Sequence, residues 1–74
     1  MAPLSPLTFR EVKWKLEAAG FAEHSHKGSH VKFVKQTNDG IVTAIVPHHR
    51  KVAAGTQRSI LRQAGISLDV WEDL

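Results

Sequence analysis

The stretch Val31-Lys32-Phe33-Val34-Lys35-Gln36-Thr37-Asn38-Asp39-Gly40-Ile41-Val42-Thr43-Ala44-Ile45-Val46-Pro47 decides the fold. Val31 to Val34 is a short apolar strand interrupted only by Lys32, and Ile41 to Val46 is a run dominated by β-branched residues. Between them Asn38-Asp39-Gly40 is the clearest turn signal in the chain. Pro47 closes the second run, because a ring nitrogen cannot donate to a ladder. The spacing therefore predicts an antiparallel hairpin. Upstream, Phe21 to His26 reads as a weaker strand, and Lys27-Gly28-Ser29 suits a tight connection into Val31. Three strands in a meander follow.

Helical spacing flanks the meander on both sides. Phe9, Val12, Leu16 and Ala19 recur at three and four residues, Thr8 is placed to cap, Glu11 stands three residues on, and Gly20 offers a stop. After a polar, basic loop from His48 to Ala54, Gly55 or Thr56 opens a second helix; Ile60, Leu61 and Ala64 make its buried stripe and Gly65 ends it. The expected class is α+β, a two-layer αβββα domain with a three-stranded antiparallel sheet and two helices on one face. The other sheet face, or its rim, is left for a ligand. Residues 1–74 are read as one domain, with 1–7 a flexible lead-in and 67–74 a short acidic turn or helix that Ser67 caps and whose fate is tied to a partner.

Seventy-four residues with 42% hydrophobic content support only a modest core and no large self-contained active site. Cysteine is absent, which removes disulfides and thiolate metal sites. Met1 to Thr8 carry no basic, apolar leader and no run is long enough to span a bilayer, so a soluble cytoplasmic protein is expected. Charge is unevenly spread. Between His24 and Gly65 seven bases face the single acid Asp39, which leaves that stretch at +6, whereas the whole chain is +3. All five histidines lie in this basic middle. Such a surface concentrates polyanions and binds phosphate backbones, so nucleic acid is the expected partner.

Within the basic stretch Gly28-Ser29-His30 stands where a turn hands over to a strand, and Pro47-His48-His49 follows two strands later. These motifs, together with Ala19-Gly20-Phe21, Lys27 before the first of them, Val46 before Pro47, Gly55-Thr56 and Arg58-Ser59-Ile60-Leu61-Arg62-Gln63-Ala64-Gly65-Ile66-Ser67, resemble the HicA family in order and spacing. The resemblance covers nearly the whole chain after its first few residues, although Val31 follows His30 where many relatives carry histidine or an aromatic residue. It implies a fold like a double-stranded-RNA-binding domain and the toxin half of a type II toxin-antitoxin pair. It further implies an mRNA interferase that cuts RNA without a metal through one histidine, here His30, and is silenced by a HicB-type antitoxin.

The residue chemistry fits that implication. RNA supplies its own nucleophile, the 2′-hydroxyl, so no metal or other cofactor is required, and an imidazole with a pKa near about 6.5 can move the protons at neutral pH. Gly28 permits close approach of backbone to phosphate or simply forms the turn, and Ser29 offers a hydroxyl to phosphate or to the turn itself. Lys27 and Lys32 flank the site, Lys32 on the same sheet face as His30. His48, His49, Arg50 and Lys51 are candidates to hold the RNA backbone, and one histidine of that pair to be a second proton carrier. Arg58 and Arg62 share one face of the second helix and suit either phosphate contact or plain solvation. A metal site is not expected: His24 with His26 and His48 with His49 lack a completing set of ligands at the usual spacings. Trp14 falls opposite the apolar stripe of the first helix, as an anchor for a partner protein or as cover for the helix edge. The rival reading is a non-catalytic RNA-binding module on the same scaffold, and beyond it an inert homologue kept as an interaction partner.

Overall fold

The computed structural model describes residues 4–74. Its elements run β1 (Leu7–Thr8), α1 (Phe9–Ala18), β2 (Ala22–Lys27), β3 (His30–Thr37), β4 (Gly40–Pro47), β5 (Lys51–Val52), α2 (Ala54–Ala64) and α3 (Leu68–Asp73). The sheet β2-β3-β4 is antiparallel throughout, so the meander read from the hydrophobic pattern is the observed one. Both helices flanking it are present. The inward residues Val31 and Phe33 of β3 and Ala44 and Val46 of β4 meet Val12 and Leu16 of α1 and Ile60, Leu61 and Ala64 of α2 in one core. Period-two alternation sends His30, Lys32, Val34 and Gln36 to the opposite, uncovered face.

Two tight turns set the register. At Asn38-Asp39 every non-glycine residue keeps negative φ, and Gly40 at φ 121 carries the left-handed step that lets Thr37 pair with Gly40. Between β2 and β3, Gly28 at φ 59 precedes a Ser29 of negative φ, the sign pattern of a type II′ connection, and Lys27 pairs with His30. A Cβ at residue 28 would meet nothing within 4 Å. Gly28→Ala is therefore expected to cost about 1–2 kcal/mol through backbone conformation alone, read as a lower urea midpoint at unchanged slope.

The first helix starts as its sequence predicts. The Glu11 amide donates to Thr8 Oγ1 at 3.1 Å and the Thr8 amide donates to Glu11 Oε1 at 3.0 Å, a reciprocal capping box. The backbone hydrogen bond from Thr8, and then its side chain, hold the Glu11 carboxyl below its ordinary value of 4.5. A lowered folded-state pKa gives stability that is complete above the unfolded value and is lost as pH falls through the folded one. Wild type is thus expected to exceed Glu11→Gln in stability at pH 7, with the gap closing as the pH falls below 4.5; a gap independent of pH would contradict the box. Thr8→Ala should cost roughly 1 kcal/mol by the same denaturation measurement.

Four features depart from the expected outline. The loop from His48 to Ala54 contains β5, which pairs with β1 (Leu7↔Val52, Thr8↔Lys51), so the segment before α1 is tied to the segment before α2. Of the lead-in expected at 1–7, residues 1–3 lie outside the described residues, whereas Leu7 is in β1 and the Ser5 carbonyl accepts from Gln57 Nε2 at 2.8 Å. The second helix begins at Ala54, with Ala53 at its cap and no side-chain hydrogen bond there, one residue before the expected Gly55. The acidic tail is a third helix whose Trp71 is 1% exposed and belongs to the core; Ser67 caps it, accepting from the Val70 amide. Among the described residues no helix is long and apolar enough to cross a membrane.

Candidate functional site

His30 is the first residue of β3 and opens on the uncovered sheet face. Around it lies an open hollow of about 570 Å³ lined by Ser25, Lys27, Gly28, Ser29, His30, Lys32 and Ile45. Five of the residues singled out in the sequence, Lys27, Gly28, Ser29, His30 and Lys32, are thereby brought together. The alternation of β3 puts Lys32 beside His30, and the turn puts Lys27 directly across from it in the ladder. The His48 amide donates to the Ser29 carbonyl at 2.6 Å, which extends the β3-β4 pairing past Pro47 and pins the turn that presents His30.

The wall of this hollow carries two lysines, one imidazole and no carboxylate. Glu23, the nearest acid in sequence, is drawn to the other side of β2 by an ion pair with Lys13 of α1 at 3.2 Å. An exposed pair of this kind adds little stability, but it keeps a negative charge off the cationic face. The site can accept a phosphodiester: lysines for the anionic oxygens, a hydroxyl and a turn with no Cβ at Gly28 for close approach, and an imidazole able to give or take a proton. Among the described residues no three His, Asp or Glu side chains converge to hold a metal ion.

Other predicted residues stand apart from the hollow. His48 follows Pro47, the partner of His30, and its ring turns to the helix side, 4.4 Å from the Phe9 ring and 5.0 Å from that of His26. His49 and Arg50 occupy the exposed loop that follows, and Lys51 begins β5. Arg58 and Arg62 are exposed on α2, in the helical layer rather than on the open sheet face. Trp14 is 57% exposed, with the Arg10 guanidinium 5.1 Å from its ring.

Ser25 and Ile45 line the hollow without having been singled out. Ile45 was recoverable from the turn, since pairing outward from Asn38-Asp39 sets it opposite Lys32. Ser25 was recoverable in the same way, since pairing outward from Lys27 and His30 sets it on the other side of Lys32; the shift of register begins only beyond it, between Glu23 and Ser25. Ile45 also ties the sheet rim to α2: its amide, on the outward side of β4, donates to Gln63 Oε1 at 2.9 Å. Pro47, two residues on, has its ring nitrogen on that same outward side and forfeits no ladder bond.

No curated protein matches this chain. A family model described as HicA toxin of bacterial toxin-antitoxin matches residues 9–66, from the first residue of α1 to just past the end of α2. The matched span includes the His30 hollow, all three strands of the sheet and both core helices, and it covers well over half of the 74 residues. The chain belongs to the HicA toxin family of bacterial toxin-antitoxin systems.

Proposed function

We propose that this toxin is a metal-independent endoribonuclease that cleaves mRNA in the cytoplasm, with His30 as its general acid or base. The observation that carries the reading is a solvent-facing histidine set between two lysines in a hollow free of carboxylates, inside the span that matches the toxin family. Lys27 and Lys32 hold the scissile phosphate and offset the charge that builds on its oxygens, while Gly28 lets the strand approach the turn and Ser29 adds a hydrogen bond. Deprotonation of the 2′-hydroxyl lets its oxygen bond to phosphorus as the bond from phosphorus to the 5′-oxygen breaks. The leaving oxygen takes up a proton, and one product ends in a 2′,3′-cyclic phosphate. His30 serves one of these two proton transfers. Arg50, Lys51, Arg58 and Arg62 supply the broader positive field that draws in the strand, and His48 and His49 with them help to hold its backbone.

The same cationic face suits neutralisation by a HicB-type antitoxin, since an acidic partner laid over it is steered in and excludes RNA at once. The test of the nuclease reading is cleavage of a long single-stranded RNA by the purified protein with chelator present, followed by analysis of product ends. Fragments ending in cyclic phosphate are the expected result. RNA binding at low salt with no cleavage would replace it with a binding module.

A further inference from the structure

The uncovered sheet face holds a second hollow, of about 190 Å³, lined by His24, Lys32, Val34, Gln36, Ile41 and Thr43. It adjoins the His30 hollow, because Lys32 lines both. We propose that it is a base-binding subsite for the single-stranded RNA, holding the base one nucleotide beyond the two that flank the scissile phosphate and giving the enzyme part of its sequence preference; the proposal rests on the endoribonuclease reading.

Three observations carry it. The first is the irregularity in β2, where Glu23 pairs with Phe33 and Ser25 with Lys32, leaving His24 as an extra residue. Strict alternation would send only one of two successive residues to the open face, yet Ser25 lines the first hollow and His24 the second. Bulges re-aim side chains in this way beside functional sites. The second is Ile41, which at 71% is the most exposed large apolar side chain among the described residues, on a face it shares with Val34, Ile45 and several polar or basic residues. With Val34 and the flat imidazole of His24 it offers a stacking surface, while the Gln36 amide and Thr43 hydroxyl can each donate to and accept from a base edge. The third is charge and continuity: the six residues include one cation and no acid, and Lys32 lies about 7 Å along β3 from His30, placed for a phosphate between the two hollows. A polyanion whose bases stack matches this wall. A peptide adding a strand at the β4 edge does not, since Gln63 already takes the outward Ile45 amide.

The experiment pairs nuclear magnetic resonance with kinetics. Isotope-labelled His30→Ala protein is titrated with an RNA hexanucleotide and, separately, with a dinucleoside monophosphate, and both RNAs are offered to the wild-type enzyme. The hexanucleotide should shift the Gln36 side-chain amide and the Ile41 and Thr43 backbone amides as well as residues 27–32, whereas the dinucleotide should shift only the latter. The double variant His24→Ala/Ile41→Ala should lower the preference in kcat/KM for the longer RNA by about tenfold. Shifts confined to residues 27–32, with that preference intact, would overturn the subsite while leaving the nuclease standing. Shifts at Gln36 and Ile41 in a protein that never cuts RNA would retain the subsite and discard the nuclease. A response there to a protein partner alone, and none to RNA, would overturn the subsite in favour of a protein dock.

Discussion

His30→Ala is expected to slow RNA cleavage by roughly 10²- to 10⁴-fold, the contribution of one well-placed proton carrier. The fold should survive it. His30 is exposed, and the turn that presents it is held by backbone contacts, the Lys27↔His30 pairing and the bond from the His48 amide to the Ser29 carbonyl, neither of which needs an imidazole. Melting temperature and RNA affinity at low salt should therefore stay near wild type while the single-turnover rate in chelator collapses. His48→Ala provides the contrast. Its ring faces Phe9 and His26 on the helix side, so its loss should leave the rate of bound substrate near wild type. A His30→Ala enzyme cutting at the wild-type rate would remove this histidine from the chemistry.

The largest effect on stability is expected from Trp71→Ala. Trp71 is the largest of the fully buried side chains, its indole Nε1 donates to Gln57 Oε1 at 3.1 Å, and Lys15 Nζ donates to its carbonyl at 2.8 Å. Emptying such a site typically costs about 3–5 kcal/mol. A domain of this size, at ~0.05–0.15 kcal/mol per residue, has only roughly 4–11 kcal/mol in total. The variant should lose at least about a quarter of that stability. Trp71→Phe keeps most of the packing but strands the buried Gln57 oxygen, an expected loss of about 1–3 kcal/mol. Urea denaturation of the three proteins would rank them wild type, Phe, Ala. A Trp71→Ala domain within 1 kcal/mol of wild type on that scale would mean that α3 is an appendage.

Where the chain repeats a pattern, its structure was legible. The β-branched run, the Asn38-Asp39-Gly40 turn, the capping box at Thr8 and the stripe on α2 each bring several residues to bear on one outcome, and each is found. Lys32 beside His30 followed from alternation alone. The β1-β5 ladder was hidden because two residues per strand have no period to detect. Trp71 was hidden for another reason: one tryptophan in a tail of acids reads as a solvated segment until Gln57, fourteen residues earlier, is known to wait for its N–H. His24 joining Ser25 on the open face depends on one unpaired residue in an edge strand, which no count of polar and apolar positions reveals.

Gln57 sits at the junction of segments far apart in the chain. Its amide nitrogen donates to the carbonyls of Ser5 and Val52 and its oxygen accepts from Trp71, so both ends of the side chain are committed and its orientation has one solution. For anyone shuffling pieces between relatives of this domain, residue 57 works as a compatibility key. A replacement tail has to present an N–H at the depth of the Trp71 indole, and a replacement leader a carbonyl where Ser5 has one. A chimera that misses either inherits a polar atom sealed from water, however well its apolar surfaces match.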